Sequence, residues 1–155
     1  MKKDVRHVWT IGCRKSLIDS DSNILNLMEI LEKITVGLQK DVTLNKDIKI
    51  NIPINFEIVS FWQKLVADKA VKGKAKILML SPSGKELLDL PIEFDVPKNK
   101  KNMRTILKIN TFPFVGAGLY KIIMFEKDEN AFVQVAEVPI EIVTHESEKS
   151  GMGSV

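Results

Sequence analysis

The stretch Thr111–Phe125, TFPFVGAGLYKIIMF, decides the fold that we expect for the rest of the chain. It contains the only tyrosine, Tyr120, which lies two residues after Gly118 and directly before an apolar run. In two-sheet antiparallel sandwiches, a tyrosine at such a point turns its hydroxyl back onto upstream backbone and fixes the connection between two strands. We therefore predict that Tyr120 is buried and bonded to upstream backbone, and that Gly118 serves the same corner.

Outside this stretch, apolar residues alternate with polar ones in short runs that turn-forming residues separate, which is typical of an all-β chain. The clearest run covers residues 47–58, with six apolar residues at period two. Pro53 in this run lacks an N–H, which predicts a sheet edge or a bulge there, and Pro139 in the last run predicts an edge position. After Ile58 the apolar positions change parity, which predicts a bulge or bend near Val59.

Residues 24–36, ILNLMEILEKITV, fit two kinds of element. Their leucines and methionine fall on one face of a helix, and the composition favours helix. A strand is equally consistent, because the run directly follows the tight turn at residues 19–23. The sequence leaves both alternatives open.

The two tryptophans are predicted to be structural. Trp9 belongs to an alternating run, residues 5–13, that would point it inward together with Cys13. Trp62 fits a core tryptophan or an exposed aromatic at a partner surface, and the core is favoured. Seven or more short strands with a Gly-x-Tyr corner predict an all-β, immunoglobulin-like two-sheet antiparallel sandwich, with one short helix near residues 24–36 as the open alternative.

Length and composition set the organisation of the chain. Its 155 residues suit one domain, which we place at residues 1–143, followed by a disordered polar tail at residues 144–155. A net charge of +3 is too small to indicate nucleic-acid binding. The single cysteine excludes an internal disulfide and favours the cytoplasm. Apolar runs fall short of a membrane span, so no membrane partner is expected.

Two segments carry a resemblance to a known family. RHVWTIGCRKSLIDSDSNILNLMEILEKITV, residues 6–36, resembles an uncharacterised bacterial family of immunoglobulin-like β-sandwich proteins. AKILMLSPSGKE, residues 75–86, resembles the same family when it is taken with Gly118–Phe125 and the final strand. The resemblance implies a sandwich fold and no established activity. It therefore carries no functional residues over to this chain.

The turn at residues 19–23, Asp-Ser-Asp-Ser-Asn, is the best candidate for a binding site, since it begins like a calcium loop. The weak metal candidates are Asp19, Asp21 and Asn23, with Glu32 as a distant carboxylate. The sixth position is Ile24 instead of glycine, and the twelfth is Ile30 instead of glutamate. A plain hairpin turn is favoured.

Catalytic constellations are missing from the sequence. Cys13 and His7 could be imagined as nucleophile and base, but a lone cysteine in a strand is usually a buried apolar group. We find no nucleophile elbow, phosphate loop or Cys-x-x-Cys motif, so we predict no enzyme and no cofactor.

A basic loop offers the remaining charged candidate. It comprises Lys98, Lys100, Lys101 and Arg104, and it could contact phosphate or an acidic partner. Solvent-exposed charges without a binding role are favoured, because Glu93 and Asp95 are close in sequence and no aromatic residue lies among the cations for base stacking. Nucleic acid is therefore an unlikely partner.

These observations favour a non-catalytic interaction or assembly module with an unknown protein partner, acting through a sheet edge or as a homo-oligomer. The alternative is a calcium- or carbohydrate-binding module that uses the Asp19–Asn23 turn.

Overall fold

The computed structural model describes residues 3–39 and 49–147, and every regular element in these ranges is a β-strand. The strands are β1 (Val5–Ile18), β2 (Leu25–Ile30), β3 (Lys33–Gln39), β4 (Ile50–Ile52), β5 (Phe56–Lys64), β6 (Val71–Leu80), β7 (Glu86–Val96), β8 (Asn102–Ile109), β9 (Phe112–Phe114), β10 (Gly118–Asp128) and β11 (Ala131–Ser147). Neither range contains a helix long and apolar enough to cross a membrane.

The strands form three sheets. One has the order β2-β1-β5-β8, the second has the order β3-β11-β10-β6-β7, and β4 pairs with β9 in a two-stranded sheet. A single core cluster takes buried residues from both larger sheets.

The prediction that Trp62 is a core residue is confirmed: it is 1% exposed, and its ring lies 4.9 Å from that of Phe94 on β7. Its indole N–H donates to Thr105 Oγ1 at 2.9 Å, so the polar end is satisfied.

The contact predicted for Tyr120 is present. Its hydroxyl accepts a hydrogen bond from the Val115 N–H at 2.9 Å and donates one to the Gly116 carbonyl at 2.7 Å. The side chain is fully buried, and burial raises the pKa of the phenol, although the two backbone contacts oppose the shift. Gly118 has a φ of 142°, and a Cβ there would lie 2.7 Å from Pro82, so no other residue fits without strain.

Residues 24–36 are strands, so the helix alternative for this segment is wrong. β2 pairs antiparallel with β1, whereas β3 pairs parallel with β11. Glu29 adopts a left-handed φ of 55°, which a helix does not tolerate. Tertiary pairing has overridden the helical composition of this segment.

The polar tail was predicted to begin at Thr144, and this start is wrong for the first residues. β11 continues to Ser147, because Thr144 and the residues after it pair with β3 from Val36 onward. Residues 148–155 lie outside the described part of the chain.

The two prolines behave differently. Pro53 follows β4 and lies between two strands. The single strand predicted over residues 47–58 is wrong, because β4 and β5 belong to different sheets. Residues 47 and 48 lie outside the described ranges. Pro139 lies in β11, an interior strand, but the register with β3 begins only at Glu141. The stretch of β11 around Pro139 is therefore a local edge, where a missing N–H costs no ladder bond.

The first strand does not keep the face alternation that the sequence suggested. A register shift between His7 and Trp9 turns Trp9 to the outer face, where it is half-buried and stacks on Phe61 with centroids 5.7 Å apart. The prediction that Trp9 points inward is therefore wrong.

The bulge predicted near Val59 is absent from β5, whose register is continuous. Apolar residues lie on both faces of β5, since both faces are covered.

Candidate functional site

The cover on the outer face of β5 comes from the first hairpin. The last register pair between β1 and β5 joins Cys13 to Glu57, and beyond it residues 14–30 form a hairpin that we call the flap. The Ser16 N–H donates to Glu57 Oε2 at 2.6 Å, and the Ser16 hydroxyl donates to Oε1 at 3.3 Å. Glu57 alternates with the core residues Phe56 and Ile58, so its side chain lies on the outer face. The flap therefore turns back over that face.

The tip of the flap reaches the opposite end of the same face. Arg104 on β8 lies beside Phe61, and its guanidinium donates to the Asn23 carbonyl at 2.9 Å and to Asn23 Oδ1 at 3.4 Å. An extended hairpin would point away from Arg104, because β1 runs from Trp9 towards Cys13. These contacts fix a folded-back flap.

Two apolar residues lie beneath the flap. Cys13 and Val59 are fully buried, yet neither belongs to the core cluster between the larger sheets. Burial, and then the nearby Glu57 carboxylate, raise the pKa of the Cys13 thiol. The thiol therefore behaves as a small apolar group, as expected, but it lies on the outer face and not on the inner one.

The Asp19–Asn23 turn forms the tip of the flap. Asp19 Oδ1 accepts hydrogen bonds from the N–H groups of Asp21 and Ser22 at 2.8 and 3.0 Å, and these bonds lower the pKa of Asp19. Asn23 is in the left-handed region, with φ 58°, and its oxygens face the cationic Arg104. In residues 3–39 and 49–147, no three His, Cys, Asp or Glu side chains are grouped so that they could hold a metal ion. The geometry is that of a turn.

The basic loop between β7 and β8 is held in place by a lysine that the sequence did not single out. The Lys64 ammonium donates to the backbone carbonyls of Lys69, Pro97 and Lys98 at 2.9, 2.9 and 3.0 Å. The Lys64 N–H donates to the Lys101 carbonyl at 2.7 Å. The loop is therefore organised before any ligand arrives.

The acidic residues expected to neutralise this loop are directed elsewhere. Glu93 pairs with Lys74 at 3.9 Å, and Asp95 lies opposite Lys72 across the β6–β7 ladder. Within the described ranges, no carboxylate forms an ion pair with Lys98, Lys100, Lys101 or Arg104. The loop and Arg104 therefore present four cations that no ion pair neutralises directly.

A pocket of about 500 Å³ lies between the flap tip, β5 and the basic loop. Its apolar walls are Ile18, Phe61 and Met103, and its cations are Lys100, Lys101 and Arg104. Among the described residues around it, no lining residue is acidic. This volume lies within the range of small-ligand sites. The arrangement suits an anionic group attached to an apolar body.

Sequence reasoning missed the role of Phe61. It found no aromatic residue near the basic cluster, because Phe61 is distant in the chain and reaches the loop only through the pairing of β5 with β8. The apolar residues at odd positions, Val59 and Phe61, were the available signal, since they marked a second covered face on β5.

The structure also shows a polar chain in the core. His7 Nε2 lies 2.6 Å from Thr10 Oγ1, which lies 2.8 Å from Ser60 Oγ. Ser60 is fully buried, so no substrate reaches its hydroxyl. Burial lowers the pKa of His7, with Glu126 opposing the shift. Since His7 faces the core and Cys13 the outer side, the imagined nucleophile–base pair does not form.

Comparisons with known proteins add no assignment. No family model matches the chain, and no curated protein matches it. The resemblance to the immunoglobulin-like bacterial family therefore stays a prediction.

Proposed function

We propose that the chain is a non-catalytic interaction module with an immunoglobulin-like sandwich fold, which binds a protein partner through the flap and its edge strand β2. Strand pairing supports the fold. In immunoglobulin-like domains, one sheet contains the first, second and fifth strands, and the other contains the third, sixth and seventh. Here β1, β5 and β8 form one set, and β6, β10 and β11 form the other, with Tyr120 near the start of β10, the middle strand of the second set.

The observation that carries the interaction role is where apolar residues are exposed. Half of the large apolar side chains that are exposed in the described ranges lie on the flap, namely Leu17, Ile18, Ile24, Met28 and Ile30. Met28 and Ile30 are 48% and 56% exposed. Exposed apolar residues that gather on one element are typical of a contact surface.

The residues of the edge strands favour β2 over β7 as a pairing surface. The edge strand β7 carries Pro91 inside the strand and four acidic residues along it, Glu86, Asp89, Glu93 and Asp95. Prolines and charges of this kind prevent edge-to-edge pairing. β2 has no proline, and its one charge, Glu29, lies 3.9 Å from Arg14. β2 is therefore suited to accept an added strand.

A separate partner protein fits better than a second copy of this chain. The pocket beside the flap tip contains three cations without a carboxylate partner in the described structure. A second copy paired through the same surface would add the same three cations beside this pocket, whereas a partner with carboxylates would compensate them.

The experiment compares Met28→Lys with Leu119→Lys, since Leu119 is 47% exposed on the other large sheet. A partner is captured on the wild-type protein from source lysate and identified, and its affinity for both variants is then measured. We expect Met28→Lys to weaken binding and Leu119→Lys to leave it unchanged. Binding lost only in Leu119→Lys would contradict the proposal, and so would a stable dimer in light scattering that Met28→Lys dissociates.

A further inference from the structure

We infer that the pocket between the flap tip and the basic loop is a binding site for a carboxylate-bearing, apolar segment of the partner protein. This inference rests on the proposed interaction role and names the chemistry of the partner. The segment would place an apolar side chain against Phe61 and a neighbouring carboxylate against Lys100 and Lys101.

The cations are arranged for a localised anion. Lys100 and Lys101 are adjacent on a loop whose carbonyls Lys64 holds, and Arg104 is fixed at the other side of the pocket by Asn23. An arginine guanidinium has five donors, and its two contacts with Asn23 leave others for an acceptor oxygen. Grouping these cations costs repulsion, which an incoming carboxylate would relieve.

The aromatic side of the pocket is held by packing. Phe61 stacks on Trp9 with an interplanar angle of 14°, and Phe61 is flanked on β8 by Arg104. A fixed aromatic wall binds an apolar side chain without losing its own conformational freedom. Ile18, at the flap tip, lines the opposite side and is 46% exposed without a ligand.

A protein segment is favoured over nucleic acid by the charges at the rim. The flap tip carries the carboxylates of Asp19 and Asp21 next to Asn23, and both are exposed. A phosphate chain running past the pocket would meet these charges, whereas a single carboxylate would avoid them.

The test uses the whole chain and defined probes. Binding of the peptide acetyl-Asp-Phe-Asp-amide is followed by isothermal calorimetry and by backbone amide shifts, beside acetyl-Asn-Phe-Asn-amide, inorganic phosphate and a thymidine oligonucleotide. We expect the acidic peptide to bind most tightly, to shift the amides of Phe61 and Met103, and to bind less tightly as salt is raised.

The variant Lys100→Gln/Lys101→Gln should lower the affinity for the acidic peptide about tenfold. Lys108→Gln is the matched control, because Lys108 is an exposed cation on the same face of β8 but lies opposite Glu57, outside the pocket. Its affinity should equal that of the wild type. The inference is overturned by a tighter oligonucleotide complex, by equal binding of both peptides, or by no peptide binding.

This test is independent of the partner's identity. If Met28→Lys abolishes partner binding while the peptide fails to bind, the interaction role stands and the pocket chemistry is wrong. If the peptide binds but partner binding is insensitive to Met28→Lys, the site stands and the β2 surface is wrong.

Discussion

The outer faces of the two large sheets differ in what covers them. On the five-stranded sheet, Lys74 pairs with Glu93 at 3.9 Å and Lys121 with Glu137 at 3.6 Å, and all four side chains are exposed. On the four-stranded sheet, the central residue Val59 is fully buried under the flap. The first face therefore carries exposed ion pairs, whereas the second is covered by the chain's own hairpin.

The difference between the two outer faces explains why apolar residues are exposed on the flap. Covering an apolar sheet face removes its surface from water, but a hairpin has two sides. Ser16 and Leu27 are paired on the side that faces the sheet, while Lys15 and Met28 are paired on the side that faces solvent. The flap therefore hides one apolar surface and exposes another, which the proposed partner would cover.

The largest effect that sharpens this comparison is expected from Val59→Asp. A carboxylate beneath the flap would be desolvated, so we expect a loss of roughly 3–5 kcal/mol in the free energy of unfolding, measured by urea denaturation. The control is Leu119→Asp on the open face, where the change should stay within about 0.5 kcal/mol. Equal losses at both positions would show that the two faces do not differ.

A smaller effect is expected from Tyr120→Phe, which acts in the core between the two faces. Removing the hydroxyl leaves the Val115 N–H and the Gly116 carbonyl without their partner, so the protein should lose about 1–3 kcal/mol of stability. Amide exchange in the flap should stay unchanged after correction for global stability. An unaltered unfolding midpoint would mean that the corner contributes nothing.

The smallest effect is expected on the ion-paired face. Lys121→Gln breaks an exposed pair with Glu137 and should cost at most about 1 kcal/mol, and the difference should shrink at high salt. Chemical denaturation with urea at two ionic strengths measures this difference. A loss as large as that of Val59→Asp would contradict a solvated face.

Local patterns in the sequence predicted the all-β class, the buried Trp62 and the Tyr120 contact, because each depends on residues near one another or on simple alternation. Three features could not be read from it. The shift between His7 and Trp9 depends on pairing with β5, and the strand pairing of residues 24–36 depends on β1 and β11. The pocket depends on a hairpin that folds back, for which local periodicity gives no sign.

The cytoplasmic location and the protein partner stay predictions, since they concern the surroundings of the chain. The calcium alternative would use oxygens that already accept hydrogen bonds from the turn, as Asp19 does. A melting temperature that does not change in millimolar calcium would agree with a plain turn, because a bound ion stabilises the native state.

The folded-back flap is the central claim, and hydrogen exchange of the Ser16 amide tests it most directly. This N–H donates to the Glu57 carboxylate, so its protection reports contact between the flap and the sheet. We expect slow exchange in the wild type and rapid exchange in Glu57→Ala, while amides in the β5–β8 ladder stay protected. Exchange of Ser16 at the rate of an unprotected amide in the wild type would show that the flap does not lie on the sheet.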